Sequence, residues 1–295
     1  MNILLAIDHS ASSETAVSEV VARPWPPNTG VCVLSLVETH PVMVIPSLVQ
    51  SATEAAQALV KNAADRLMAR GLGTSTHVVA DQPRSGIVEY AQLWGADLIV
   101  VGSHGQSAIT RFLMGSVAQA VVRHAPCSVE VVRTTIYDKP VDARAMKILL
   151  ATDGSVYSVA AARSLTERPW PGGSTVKVIS VAEVITPAIE PGYLDPVLID
   201  SVREEATRHA REAVAAAEKT IREAGLEVSG AVFTGFAKEA IVDEAKQWGA
   251  DLVVVGSHGL RGIKRLLIGS VAETVAVHAP CSVEVIREPV TGSDH

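Results

Sequence analysis

The sequence predicts two tandem α/β domains, each a doubly wound parallel sheet covered by helices on both faces. Three observations carry that expectation: an internal duplication, a regular alternation of short apolar runs with amphipathic stretches, and an aliphatic composition. Trp94-Gly-Ala-Asp-Leu-Ile-Val-Val-Gly-Ser-His-Gly105 returns as Trp248 to Gly259 with one change, Ile99 to Val253. His124-Ala-Pro-Cys-Ser-Val-Glu-Val131 returns unchanged as His278 to Val285. These pairs are 154 residues apart, whereas Asp8 and Asp153, or Pro24-Trp-Pro26 and Pro169-Trp-Pro171, are 145 apart. The second copy therefore carries nine additional residues after its second strand, around Pro187 to Pro196. Copies of this length are whole domains and not solenoid repeats. Their expected limits are 1–134 and 146–288, with a linker around Tyr137-Asp-Lys-Pro140.

Each half begins with a short apolar run that ends at an acid, Ile3 to Ile7 before Asp8 and Lys147 to Ala151 before Asp153, the pattern of a buried strand. Ser10 offers a side-chain oxygen to cap the next helix, which turns Val17, Val20 and Val21 to one side. Val31 to Val37 is a second buried strand. Ala52 to Arg70 then forms a long helix stopped by Gly71, with Ala55, Ala56, Leu59, Ala63 and Leu67 as its apolar stripe. His77 to Ala80 is the third strand, and Ile87 to Trp94 a helix stopped by Gly95. Leu98 to Val101 and Val129 to Val132 are the fourth and fifth strands, separated by a helix from Ser116 to His124. Strands and helices alternating in this way specify a parallel sheet with right-handed crossovers.

Composition narrows the classes of function. Of 295 residues, 48% are hydrophobic and 19% charged, enough apolar surface for folded domains. With aromatics at 4%, the core has to be built from Val, Ile, Leu and Ala. A net charge of −7 disfavours nucleic acid as a partner. No run of 18 apolar residues exists to span a membrane, and Met1 to Asp8 reads as a first strand and not a signal peptide. Three cysteines, Cys32, Cys127 and Cys281, are too few and too odd for a disulfide framework. The expectation is a soluble cytoplasmic protein.

The chemistry points to the loop after the fourth strand. Gly102-Ser103-His104-Gly105 is followed nine residues later by Gly115-Ser116, and Gly256-Ser257-His258-Gly259 by Gly269-Ser270 at the same spacing. Glycines let backbone N–H groups approach an oxyanion without a Cβ in the way. A Gly-Ser at a helix start adds unsatisfied donors, a hydroxyl and the positive end of the helix dipole. Together they make a phosphate cradle; the competing explanation is that all four glycines serve turns and caps. No Walker A sequence is present, and no Gly-x-Gly-x-x-Gly follows the first strand as dinucleotide binding requires. The Ser-Gly-Gly-x-Asp-Ser loop of pyrophosphate-releasing ATP enzymes is missing too.

With Asp8 and Asp153 each followed by x-Ser, the G-x2-G-x9-G-S loops, and the closing Ala-Pro-Cys-x-Val-x-Val strand, the sequence resembles the universal stress protein family in its tandem form, over nearly the whole chain. The resemblance implies a five-stranded sheet of order 3-2-1-4-5 in each half, with strands one and four adjacent at the switch point where such sheets bind ligands. It also implies the ATP-binding branch of the family, one nucleotide per half. On that basis Ala6 and Asp8 lie beside base and ribose, Leu36 meets the adenine through its backbone, and Gly102, Ser103, His104, Gly105, Gly115, Ser116 and Val117 surround ribose and phosphates. Ala151, Asp153, Val181, Gly256, Ser257, His258, Gly259, Gly269, Ser270 and Val271 are the corresponding residues of the second half. Family members pair through their fifth strands, so the two halves are expected to form a pseudo-dimer within one chain; association of two chains is open.

Other residues carry weaker signals. His104 and His258 could touch phosphate or act as bases, against the plainer role of a hydrogen-bonded loop residue. Arg111 and Arg265 could reach a γ-phosphate, against a solvated position. Cys127 and Cys281 read as buried structural thiols, with redox sensing as the alternative. His9 stands where the second half has Gly154, with no functional account, and Asp81 stands where it has Gly235, at a turn away from the cleft. No residue is assigned a catalytic role and no metal-ligand spacing is found; any Mg²⁺ would arrive with the nucleotide. The reading is a regulatory nucleotide-binding protein, with a slow ATPase or self-phosphorylating enzyme and a nucleotide-free scaffold as alternatives.

Overall fold

The computed structural model describes residues 1–38, 46–105, 114–133, 145–183, 196–260 and 268–288. The first half runs β1 (Asn2–Ala6), α1 (Ala11–Ala22), β2 (Gly30–Val37), α2 (Pro46–Met68), β3 (Gly73–Ala80), α3 (Pro83–Trp94), β4 (Leu98–Gly102), α4 (Ser116–His124) and β5 (Ser128–Val132). The second repeats it as β6 (Lys147–Ala151), α5 (Val156–Thr166), β7 (Thr175–Ala182), α6 (Pro196–Glu223), β8 (Glu227–Thr234), α7 (Ala237–Trp248), β9 (Leu252–Gly256), α8 (Ser270–His278) and β10 (Ser282–Ile286). The expected linker at Tyr137 to Pro140 and the insertion from Pro187 lie outside the described residues, as do Arg111 and Arg265.

All ten strands join one sheet in the order β3-β2-β1-β4-β5-β10-β9-β6-β7-β8. The first half thus has the order 3-2-1-4-5, and the second repeats it in reverse across the seam. Every pairing is parallel except the central one, where β5 and β10 run antiparallel with Val131 opposite Val283, Glu130 opposite Glu284 and Val129 opposite Val285. Neither fifth strand is left as an open edge.

Three element readings need correction. The long helix begins at Pro46 and not Ala52, and Ala55 is exposed. Its buried stripe is Ala56, Val60, Ala63, Ala64 and Leu67, one position round from the expected face. β3 begins at Gly73, four residues before the expected His77, because polar Thr74-Ser75-Thr76 occupy an outer strand whose register with β2 the apolar pattern does not mark. α3 starts at Pro83, since proline is accommodated in a first turn where its missing N–H costs nothing.

Alternation along the central strands divides the interior. Val129, Val131, Val283 and Val285 point into one core shared by both halves, together with Ala118 and Val121 of α4 and Ala272 and Val275 of α8. Below the sheet the halves keep separate cores, one under α1 and α2 and one under α5 and α6. Between these two cores lie Glu130 and Glu284, each nearly inaccessible to water.

Each acid is met by an arginine from just beyond the first helix of its own half. Arg23 forks onto Glu130, with Nη1 2.9 Å from Oε2, and also holds Glu19 through Nε at 3.1 Å. Arg168 pairs with Glu284 and stacks 4.6 Å from the Trp170 ring centre. A second pair of arginines clasps the opposite half. Arg133 Nη2 donates to the carbonyls of Ala276 and Val277, both at 2.7 Å, and Arg287 Nη2 donates to those of Val122 at 2.9 Å and Arg123 at 3.1 Å. These are the last-turn carbonyls of α8 and α4, which have no partner within their helices.

Burial, with Glu284 beside it, pushes the Glu130 carboxyl up to about 7 despite the opposing pull of Arg23. A carboxyl whose folded value lies above its unfolded one contributes stability below the unfolded value, and that contribution is lost as pH rises through the folded value. Between pH 5 and 8, then, the native chain should lose stability relative to Glu130→Gln, read as diverging chemical-denaturation midpoints. Arg23→Met should cost about 3–5 kcal/mol at pH 8, because it strands a buried carboxylate, and the deficit should shrink toward pH 5.

Candidate functional site

The carboxyl ends of β1 and β4 are adjacent, with Ala6 opposite Val101, and the loops that follow them meet above the sheet. Asp8 turns back on the start of α1: its Oδ1 accepts from Ser10 N at 3.1 Å, Ser10 Oγ at 2.5 Å and Ser13 Oγ at 2.6 Å. Ser10 is also the N-cap of α1, accepting from Ser13 N, as its sequence position predicts. Its hydroxyl lies 3.1 Å from the His104 carbonyl and so joins the first loop to the glycine loop.

The second half repeats the frame with different ties. Asp153 Oδ1 accepts from Ser155 N at 3.0 Å, and Oδ2 accepts from Leu260 N at 2.9 Å. Thr152 Oγ1 donates to Ser158 Oγ at 3.1 Å, while the Ser158 hydroxyl is directed to the Ser155 carbonyl at 3.0 Å. His209 of α6 comes over the loop, its Nε2 donating to the Asp153 carbonyl at 3.0 Å. Gly154 lies beneath that ring in left-handed backbone, φ +77°, which His9 in the first half does not adopt.

The glycines serve the fold as well as any ligand. A Cβ on Gly102 would lie 2.7 Å from the Ser12 carbonyl carbon, and one on Gly256 would lie 2.6 Å from that of Tyr157. These two glycines let the first helix of each half cross the end of the fourth strand, a packing demand that holds with or without a ligand. Gly105 and Gly259 differ, because their nearest neighbours are carboxylates. A Cβ on Gly105 would stand 3.2 Å from Asp8 Oδ2, and one on Gly259 would stand 2.6 Å from Asp153 Oδ2. Gly115 and Gly269 tie the loop back, donating to the carbonyls of Ser103 at 2.8 Å and Ser257 at 2.7 Å. Each then serves as N-cap of α4 or α8 with no side-chain cap, and Ser116 and Ser270 stand exposed at the helix starts.

The second strand completes the cleft. Ile7 N donates to the Leu34 carbonyl and Thr152 N to that of Ile179, both at 2.9 Å. Backbone groups two residues on point the same way, so those of Leu36 and Val181 face the cleft just past the ends of β1 and β6. The side chain of Leu36 packs where Gly86 of α3 has no Cβ; the smaller Val181 is matched in the sequence by Ala240.

Thus the loops that carry Asp8, Gly105 and Gly115 meet at the ends of β1 and β4, next to Ala6 and Leu36, and those that carry Asp153, Gly259 and Gly269 meet likewise next to Ala151 and Val181. Val117 and Val271 turn toward the shared core and contribute only backbone to the helix starts. Ser103 and Ser257 are buried, each with its hydroxyl beside the adjacent histidine, Nδ1 at 2.9 Å from Ser103 and 3.1 Å from Ser257. Burial pushes the thiols of Cys127 and Cys281 up to about 12, so neither presents a thiolate at neutral pH. Among the described residues no group of three or more His, Cys, Asp or Glu is placed to hold a metal, and no helix is long and apolar enough to cross a membrane. Sequence reasoning missed Ser13, Ser158, Thr152 and His209. The substitution pattern between the copies, Ile7 against Thr152 and Ala55 against His209, is the signal that could have found the last two.

The sequence model of the universal stress protein family matches residues 1–133 and again residues 145–287. The chain belongs to the universal stress protein family. A universal stress protein of Mycolicibacterium smegmatis is 28% identical over 295 residues, covering 97% of this chain and 96% of its own length. Another, from Mycobacterium tuberculosis strain H37Rv, is 31% identical over 220 residues, covering 74% of this chain and 70% of its own. In fold, the chain is similar to the crystal structure of a universal stress protein from Archaeoglobus fulgidus, with a TM-score of 0.67 at 20% identity over 97% of this chain and 96% of that one.

The glycine contacts set an expectation for this universal stress protein. Gly256→Ala should lower its stability by about 1–3 kcal/mol, the usual cost of forcing atoms into a packed contact, measured by thermal or denaturant unfolding. Gly172→Ala, where a Cβ meets nothing within 4 Å, should leave stability nearly unchanged.

Proposed function

We propose that each half binds one adenine nucleotide, ATP with its Mg²⁺, and that the protein acts as a regulatory nucleotide-binding member of its family in a cytoplasmic stress response. The observation that carries this reading is the convergence, at the switch point of each half, of an acid, a glycine loop and an uncapped helix start. Helix starts without a side-chain cap retain N–H donors and the positive dipole end, a site for phosphate. Gly105 and Gly259 keep the wall beside the carboxylates free of side chains, which leaves room for a ribose. Leu36 and Val181 offer strand-edge backbone groups of the kind that read an adenine, with Ala6 and Ala151 beside the base. Asp8 and Asp153 accept from ribose hydroxyls. Mg²⁺ would be held mainly by the phosphate oxygens, since the described residues supply no cluster for it.

Mass spectrometry of ligand released from purified protein should show adenine nucleotide, and titration of stripped protein should give two per chain. Ser116→Asp and Ser270→Asp test the loops with little disturbance, because both residues are exposed and an acid in a first turn suits the helix itself. Each should abolish one site by repelling phosphate, and the double variant should bind none. At a hundredfold excess over Kd, one site stabilises by about 2.7 kcal/mol. A thermal shift that survives in the double variant places the nucleotide elsewhere.

A further inference from the structure

The sheet ends on β3 at one side and β8 at the other, equivalent strands of the two copies. Among the described residues no strand lies beyond either of them. Which backbone groups face outward follows from the last bond of each strand. Asp81 N donates inward to the Val37 carbonyl of β2 at 3.2 Å. Groups two residues apart point the same way, so the N–H and C=O groups of Thr74, Thr76, Val78 and Ala80 point away from β2. Gly235 N donates inward to the Ala182 carbonyl of β7 at 3.4 Å, which leaves those of Val228, Gly230, Val232 and Thr234 outward.

The two edges are finished differently. β8 opens on Glu227, and the Glu218 carboxylate of α6 lies beside Gly230, where an added Cβ would stand 3.0 Å from its Oε1. One turn on, Arg222 Nη2 lies 3.5 Å from the same oxygen. Charges placed along an edge turn a second strand away. β3 carries none, since Gly73 to Ala80 contains no Asp, Glu, Lys, Arg or Pro. Ala64 and Met68 stand where the second half has Glu218 and Arg222. On the other face His77, Tyr90 and Leu93 replace Ala231, Glu244 and Gln247. Tyr90 meets the His77 ring with centres 5.3 Å apart, which marks the side of α3 that turns to the edge, and Leu93 follows one turn later. Met68 is 50% exposed and Leu93 86% exposed. An eight-residue uncharged edge, with an exposed apolar side chain on either face, is the kind of edge that pairs.

We infer that β3 is the interface for a second copy of this chain: two β3 strands pair antiparallel about a twofold axis and continue the sheet from one molecule into the next. The strand is complementary to itself. With His77 on the axis, Thr76 faces Val78 of the partner subunit and Thr74 faces Ala80 of the partner subunit. Every outward N–H and C=O of β3 then finds a partner, and any other twofold register leaves one end of this set unpaired. The seam of β5 and β10 already closes two sheet edges by antiparallel pairing within the chain. β8 is unsuited to the same use, because twofold pairing there would crowd the Glu218 carboxylates of both copies onto one side of the joint. Pairing β3 with β8 would be head-to-tail and would not close. In the twofold arrangement the two α2 helices lie side by side on one face and the two α3 helices on the other, which covers Met68 and Leu93.

Sedimentation equilibrium of the full chain should show monomer and dimer in exchange and no larger species. Thr76→Pro removes one outward donor from each copy and spares every bond to β2, a position where an edge strand accepts proline. It should weaken the dimer about thirtyfold, the worth of two hydrogen bonds, with the circular dichroism spectrum unchanged. Met68→Arg with Leu93→Gln writes the second half's residues into the first and should weaken the dimer without altering the backbone. Under oxidation His77→Cys should give a disulfide-linked dimer that the unmodified chain does not form, because facing residues that exchange no hydrogen bonds bring their Cβ atoms close. Adding Thr76→Pro to His77→Cys should remove the link. A chain that stays monomeric at every concentration overturns the inference. So does a dimer indifferent to both edge variants, a dimer in which His77→Cys forms no disulfide, or an assembly that grows past two copies. Nucleotide binding stands or falls separately from all of these.

Discussion

The antiparallel seam between β5 and β10 is the constraint on which the rest of the molecule depends. Each half ends its sheet on a strand whose outer edge would otherwise present unpaired backbone groups, and pairing the two edges closes both at once. The seam is polar on one side. Two carboxylates placed opposite each other in a dry interior repel, and that placement is tolerable only because Arg23 and Arg168 neutralise them in place. Such a cluster specifies more than it stabilises. A one-residue slip of β10 against β5 would send Glu284 into the aliphatic core and a valine against an arginine, so the register is fixed by charge as well as by shape.

The seam also sets the positions of the proposed binding loops. Arg133 extends from the end of β5 to the last carbonyls of α8, while Arg287 does the same from β10 to α4. The other ends of α8 and α4 are the exposed helix starts at the clefts. Each half therefore anchors the helix that the other half uses, and the Arg123–Glu273 pair adds a further tie between the two helices. A cation at a helix C-terminus is favoured by the same dipole that favours an anion at the N-terminus. The arginine and the proposed phosphate thus act on opposite ends of one electrostatic object.

Most of the fold is legible in the sequence because the repeated blocks are the buried ones. Strand runs such as Leu98 to Val101 are apolar throughout, and that is what a strand covered on both faces requires. The outer strand β3 is only half visible, because its exposed positions carry threonine, serine and histidine, which give no period against a partly wet surface. The α2 stripe falls one position from the expected face because alanines on both sides of the helix make its faces nearly indistinguishable. The acids and glycines of the site are legible as a motif, but the cause of each glycine is not. Gly102 and Gly256 are needed where a helix crosses a strand end, a tertiary contact that spacing along the chain does not encode.

Duplication explains why the differences are informative. When two copies share the strand, loop and helix that form a cleft, packing demands fall on both alike, so Gly102 and Gly256 remain glycine for the same reason. Positions that diverge in concert are released from that shared demand and answer to a local one. Leu36 with Gly86, against Val181 with Ala240, exchanges volume across a single contact and leaves the cleft wall in place. His9 with Ala55, against Gly154 with His209, moves a ring to the other side of one contact, and Ile7 against Thr152 adds a hydroxyl beside it. They move hydrogen bonds from the carboxylate to the backbone around it. Those changes keep the frame of each half and re-route the polar contacts around its acid.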